Sequence, residues 1–264
     1  MDLVARLRSA GCVFAEEEAA LLRAEASDAE TLERWVARRV AGEPLEVVLG
    51  WAAFAGLRLN VAPGVFVPRT RTRLLADLAV RHLADRPRPV VVDLCCGTGA
   101  VGLLVASRVP DVLLHAVDLD PAAVACARQN LSSVAGTVHL GDLDAPLPDA
   151  LRGRVDVLLA NAPYVPTDAI AAMPPEARDH EARTALDGGT DGLDVLRRVV
   201  ARAPRWLAPD GVLVVECGED QVGELAQAVS AAGLQARAVR APDLGATALV
   251  AAPRPSPVPG PPGT

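Results

Sequence analysis

The chain has 264 residues, of which 51% are hydrophobic and 22% charged, a globular composition long enough to bury a full core. Its net charge of −7 argues against a protein whose main partner is a nucleic-acid backbone, since neutralising phosphates takes a surplus of Lys and Arg. Five cysteines, odd in number and scattered, read as reduced thiols, and none stands at metal-ligand spacing.

Up to about Val40 the pattern is helical. Leu3, Val4 and Leu7 recur at helix spacing, and Thr31, Leu32, Trp35 and Val36 form a second stripe, which predicts two or three short helices. Between them "AEEEAALLRAE" reads as a solvated helix face. From Gly42 to Arg69 the chain is rich in Gly, Pro and β-branched residues, as in a linker with a hairpin, and residues 1–59 are expected to form a small helical domain.

From Val90 onward short apolar runs alternate with amphipathic segments: "PVVVDL", "VLLHAVDL", "GTVHL", "VDVLLA", "GVLVVE", "LQARAV" and "ATALVAA". This predicts a doubly wound α/β domain over residues 60–252, with a mostly parallel sheet covered on both faces. The last residues, 253–264, are dominated by Pro and are expected to form a disordered tail. The N-terminus lacks a signal-type apolar run and no segment has about 20 uninterrupted apolar residues, so a cytoplasmic protein without a membrane span is expected.

The first strand runs into "DLCCGTGAVG", where Gly97, Gly99 and Gly102 spell GxGxxG. Glycines let the backbone turn sharply and approach a ligand closely, a need shared by dinucleotide-binding folds and nucleoside-binding methyltransferases. Asp93 stands four residues before Gly97, where a carboxylate would oppose a pyrophosphate but suits the ammonium of S-adenosylmethionine. Asp118 closes the second strand, at the distance where an acid binds ribose hydroxyls, and Asp142 follows the third, beside the expected adenine. Asp120 before Pro121 reads as a helix cap.

"NAPY", Asn161 to Tyr164, follows the fourth strand on the edge where the ligand crevice should lie. The Asn side chain and the next carbonyl would hold a planar amide or amino group, and Tyr164, the chain's single tyrosine, would stack on it. Such a loop would act by positioning a nitrogen and stabilising positive charge on it.

These stretches resemble the HemK-type protein glutamine N5-methyltransferases. The resemblance is carried by "GEPLEVVLG", "PGVFVPR", "DLCCGTGAVGL", "AVDLDPAAVACARQN", "NAPY", "PEARDHEARTALDGGTDGLDVLRRV" and "LAPDGVLVVECGEDQ". It implies a seven-stranded class I methyltransferase domain behind a small helical domain, with methyl transfer from S-adenosylmethionine to a protein glutamine, the partner being a peptide chain release factor and its GGQ motif. It further implies that Asn161, Ala162, Pro163 and Tyr164 hold the amide. Phe66, Pro68 and Arg69 would line the acceptor entry. Asp93, Cys95, Gly97, Thr98, Gly99, Asp118, Leu119, Asp142, Leu143 and Asn161 would hold the cofactor, and no metal is implied.

Three departures from the family pattern stand out. Residue 162 is Ala where the family has the first proline of NPPY, so a φ restriction is lost while the carbonyl remains. "PRTRTRLL" replaces the family's "PRPETE", putting Arg71 and Arg73 where acids are usual, and the helical part before "GEPLE" looks about 20 residues short. His180 reads as a surface or capping residue, and Cys95, at a position often occupied by Gly, reads as chosen for small size. Competing readings are a methyltransferase for another planar amine, in adenine or a small molecule, a nicotinamide oxidoreductase using GxGxxG, and an inactive homologue.

Overall fold

The computed structural model describes residues 2–254. Helices α1 (Leu3–Ser9), α2 (Ala15–Glu25) and α3 (Ala29–Val40) open the chain, followed by a short α4 (Leu45–Leu49). Asp28 starts α3 by accepting from Thr31 N at 2.7 Å, which satisfies one of the helix's free N–H groups. Leu7, Ala15, Ala19, Leu22, Val36 and Val48 close a small core of their own. Helix α4 lies inside the stretch expected to be linker; five residues are too few for periodicity to show.

The expected hairpin is β1 (Trp51–Phe54) against β2 (Leu57–Asn60). Its two-residue turn, Ala55 and Gly56, has positive φ at both positions, 50° and 87°, the conformation that matches strand twist.

The rest runs α5 (Arg73–Leu83), β3 (Val90–Leu94), α6 (Ala100–Ala106), β4 (Leu113–Asp118), α7 (Pro121–Asn130), β5 (Gly136–Leu140) and β6 (Val155–Ala160). It continues through α8 (Pro175–His180), α9 (Arg183–Leu186), α10 (Asp194–Arg202), β7 (Leu207–Glu216), α11 (Val222–Ala231), β8 (Leu234–Ala241) and β9 (Ala246–Pro253). These seven strands form one sheet in the order β5-β4-β3-β6-β7-β9-β8. Strands β3 to β7 pair in parallel, whereas β9 is antiparallel to both its neighbours. The reversal follows from the four-residue link at Pro242–Gly245, since a connection that short can only return the chain antiparallel.

Alternation along each strand feeds two cores. Val91, Leu114, Val157 and Val214 face α5 and α6, while Val92, Val117, Leu158 and Val215 face α10 and α11. The chain steps outward from β3 to β5, then crosses back to β6. Strand order therefore reverses between β3 and β6, and a crevice opens at their C-terminal ends.

Asp120 does cap α7, accepting from Ala122 N at 2.8 Å. Glu18 corrects the reading of α2 as a purely solvated face. It accepts from Arg39 Nε at 2.6 Å, and Arg39, 5% exposed, also bonds Glu176 of α8 at 2.6 Å. An acid that looked like solvent decoration thus helps tie the helical front to the sheet domain. Among the described residues no helix is long and apolar enough to cross a membrane. The Pro-rich tail, beyond Arg254, lies outside the described residues.

Candidate active site

Four strands deliver polar side chains to one edge of the sheet: Asp93 near the end of β3, Asp118 at the end of β4, Asn161 just past β6 and Glu216 at the end of β7. A cavity of about 430 Å³ opens over the β3, β4 and β6 ends, lined by Asp93, Cys95, Gly97, Thr98, Asp118, Leu119, Asp142 and Leu143 on one side. Asn161, Ala162, Pro163 and Tyr164 line it as well, and so do Phe66, Pro68, Arg69, Arg71 and Thr72, which make up a second stretch of its wall. Of the site residues expected from sequence, Gly99 alone is not in the lining. Its positive φ of 77° turns the chain into α6, with the space a side chain would need already taken by Leu131.

The side expected to hold the cofactor is acidic. Asp93 is 2% exposed and accepts from Gly102 N, in the first turn of α6, at 3.0 Å. The carboxylate thus occupies the helix end that a dinucleotide's pyrophosphate would need. Burial pushes its pKa up to about 7. Asp118 accepts from Gly97 N at 2.8 Å and from Asp120 N at 3.0 Å, and burial raises its pKa against those two bonds. Asp142 does not stand free beside a nucleobase position: it is ion-paired with Arg198 of α10 across the cavity rim. Gly97 has φ of 54° and open space where a side chain would be. A glycine cradle and buried carboxylates, with Arg198 held on Asp142, fit a cationic sulfonium amino acid better than a polyphosphate.

Cys95 has φ of 54°, a left-handed backbone conformation that adds a second reason for a small residue at this position. Burial raises its thiol pKa, which keeps the sulfur protonated and inert.

On the acceptor side Asn161 Nδ2 donates to Thr72 Oγ1 at 3.4 Å. Thr72 is 4% exposed and precedes α5, a partner that sequence reading had missed. Tyr164 Oη donates to Glu216 Oε1 at 2.8 Å, and Arg71 Nε donates to the same oxygen at 2.9 Å. Burial, then the Glu216 charge, raises the tyrosine pKa, so Tyr164 stays a phenol. Glu216 was also missed, although it ends the apolar run "GVLVVE" much as Asp118 ends "HAVD". Glu181 is the third omission. Its Oε1 accepts from Arg69 Nη2 at 2.6 Å and from Val67 N at 3.2 Å, fixing the wall that carries Phe66 and Pro68. His180, its neighbour, does not line the cavity.

The segment after "NAPY" works from behind. Val165 N donates to Leu186 O, Gly188 N to Val165 O and Thr167 N to Gly189 O, so "LDGG" pairs with the chain just past Tyr164. Gln221 Nε2 bridges Tyr164 O at 2.9 Å and Asp191 O at 3.0 Å. A Cβ on Gly192 would lie 2.2 Å from Tyr164 O, so only glycine lets this loop press that close.

Residues 56–189 match the model of the Methyltransferase small domain family. A release factor glutamine methyltransferase from Streptomyces coelicolor is 42% identical over 72% of this chain and 68% of its own length. A Streptomyces pristinaespiralis protein named 4-amino-L-phenylalanine/4-methylamino-L-phenylalanine methyltransferase is 35% identical over 75% of this chain and 69% of its own. The chain spans about two thirds of the length of the first four relatives it matches, all named release factor glutamine methyltransferases. Among solved structures, the Thermus thermophilus 16S rRNA N2 G1207 methyltransferase in complex with AdoMet and guanosine superimposes with a TM-score of 0.55 at 20% identity, covering 77% of this chain and 50% of that one. The fold is that of class I S-adenosylmethionine-dependent methyltransferases, and with the relatives' identity and coverage the chain belongs to the release factor glutamine methyltransferase family.

Proposed function

We propose that this chain transfers a methyl group from S-adenosylmethionine to the side-chain amide nitrogen of a protein glutamine, the partner being a peptide chain release factor. The observation that carries this reading is that Asn161 and Ala162 line one cavity together with the acidic cradle and the Phe66–Thr72 stretch. When bound, the cofactor supplies an electrophilic methyl on a sulfonium.

The chain's own residues bind and orient. Asp93, Asp118 and the Gly97–Thr98 backbone would hold the amino-acid and ribose parts of the donor, with Cys95, Leu119, Leu143 and the Asp142–Arg198 pair around the base. Asn161 Oδ1 and the Ala162 carbonyl would accept the two N–H bonds of the glutamine amide. That draws electron density toward the nitrogen and aims its lone pair at the donor. Tyr164, fixed at its hydroxyl by Glu216, presents a ring of set orientation as the wall of the amide slot. No group in the slot needs to remove a proton first, because positive charge developing on nitrogen is met by the two carbonyl oxygens. Residues 1–59 would form a helical acceptor-recognition unit.

A second reading has one specific observation behind it: the Streptomyces pristinaespiralis relative, by its name, methylates an arylamine. The same two carbonyl acceptors suit any planar amine, and Ala162 in place of proline loosens the slot. The discriminating experiment is transfer of labelled methyl to the host's purified release factors, beside copies with the GGQ glutamine replaced. Label confined to the unaltered factors supports the glutamine reading. Label on 4-aminophenylalanine and on none of the factors overturns it.

A further inference from the structure

The acceptor wall carries a charge arrangement that the binding of an amide does not use. Arg71 stands 44% exposed at the cavity rim, while its partner Glu216 is 2% exposed. The ion pair is one-sided. Only Nε reaches Glu216, at Oε1, and that oxygen also takes the Tyr164 hydroxyl; Oε2 is buried and meets no partner among the described residues. A guanidinium seated face to face on a carboxylate would use two nitrogens and both oxygens. Beyond Glu216 the guanidinium interacts with the Tyr164 hydroxyl, and its Nη1–Nη2 edge donates to no carboxylate or carbonyl among the described residues, on a side chain that lines the cavity.

We propose that this edge of Arg71 is a specificity element that takes a carboxylate carried by the acceptor beside the nitrogen to be methylated. The proposal rests on reading this cavity as the acceptor site. Three features point to a carboxylate and not to a neutral group. The two Nη donors are coplanar and parallel, the geometry a carboxylate matches with two bonds. The anchor through Nε fixes the direction of the fork before the acceptor arrives, so little side-chain freedom is lost on binding. Arg69, on the same wall and held on Glu181, places a second guanidinium close by. Residue 71 sits two positions past Arg69 in "PRTRT", so both arginines come from one short turn leading into α5.

The carboxylate has two sources, an acidic side chain next to an acceptor glutamine or the α-carboxylate of a free amino acid. The experiment measures kcat/KM of the full chain in two arms. One uses glutamine-centred peptides matched except for Glu against Gln at the flanking positions. The other uses 4-aminophenylalanine against its α-carboxamide. The carboxylate-bearing member of a pair is expected to be preferred by roughly 10- to 100-fold, the range of a charge-assisted contact, with the difference in KM and not in kcat. Arg71→Lys, which keeps the charge beside Glu216 and loses the fork, is expected to shrink the ratio to a few-fold. Arg71→Gln in a Glu216→Gln background, which leaves no buried carboxylate unpaired, is expected to abolish it, with S-adenosylhomocysteine binding as the check on folding.

Equal kcat/KM for both members of each pair, or a preference that survives both variants, overturns the assignment of Arg71 and leaves the glutamine reading standing. Transfer with a carboxylate preference in the amino-acid arm, and no transfer to any peptide, keeps the role of Arg71 and removes the glutamine reading. Transfer to neither acceptor class while S-adenosylhomocysteine is bound removes both.

Discussion

Gly192→Ala tests whether the loop behind "NAPY" sets the position of the acceptor slot. Gly192 has φ of 77°, where a residue with a Cβ is strained by about 1–2 kcal/mol. The added carbon would stand 2.2 Å from Tyr164 O and 2.5 Å from Gln221 Nε2, so the Tyr164 carbonyl must retreat by roughly 1 Å to reach ordinary contact. That breaks the 2.9 Å bond from Gln221, which is 8% exposed, and stranding a buried donor costs about 1–3 kcal/mol. The sum, about 2–5 kcal/mol, corresponds to a fall in Tm of roughly 5–15 °C for a chain of this size. A misplacement of about 1 Å in a positioning loop lowers the rate by about 100-fold. The assay is methyl transfer below the variant's Tm, beside the thermal shift given by S-adenosylhomocysteine, which should persist because the glycine cradle is untouched. Gly153→Ala is the control: its φ is 67° but a Cβ there meets nothing within 4 Å, so it carries strain without displacement. Activity within threefold of wild type in Gly192→Ala, with Tm lowered no more than in Gly153→Ala, would refute the argument.

Other outcomes follow from the same geometry. Asn161→Ala should lower methyl transfer by at least about 100-fold while the S-adenosylhomocysteine shift is kept; equal activity would remove Asn161 from the slot. Asp93, its pKa raised from 3.8 to about 7 by burial, binds its proton more tightly folded than unfolded. Its contribution to stability is therefore full below about pH 4 and lost as pH rises through 7. Affinity for the cationic donor should move the opposite way, rising between pH 6 and 8, and Asp93→Asn should flatten both trends in calorimetric titrations. Arg39→Met leaves Glu18, 12% exposed at its side chain, without its cation, a loss of roughly 3–5 kcal/mol. Its Tm should fall while donor affinity in the folded protein is unchanged, and an unaltered Tm would show that the Glu18–Arg39–Glu176 link carries no load.

The half of the cavity expected to hold the cofactor was legible in the sequence as a cluster at one sheet edge because its parts follow one another along the chain. A strand, a glycine turn and an acid at the next strand's end are each local signals, and Gly97, Asp118 and Asn161 could be placed from them alone. The acceptor half was legible only in part. Tyr164 depends on Glu216, 52 positions away, Asn161 on Thr72, 89 positions away, and Val67 on Glu181, 114 positions away. No local pattern marks such pairs. The reversed β9 escaped for a related reason: "ATALVAA" reads as a buried strand in either direction, and only the short turn before it decides.

Asn130 joins the two halves directly. Its side chain accepts from Asn60 N at 2.7 Å and donates to Asn60 O at 3.0 Å and to Thr98 O at 2.9 Å, so the end of the hairpin and the glycine turn share one amide. Six residues past Asn60 the chain reaches Phe66 on the acceptor wall. Any displacement of Thr98 on donor binding would be passed through this amide toward the acceptor wall, and donor titration with and without acceptor would measure it. Reciprocity makes this quantitative: whatever factor the bound donor adds to acceptor affinity, the bound acceptor returns to the donor. On the proposed reaction the sulfonium charge is gone after transfer and the methylated amide has one N–H fewer, so such a coupling would favour release of both products together.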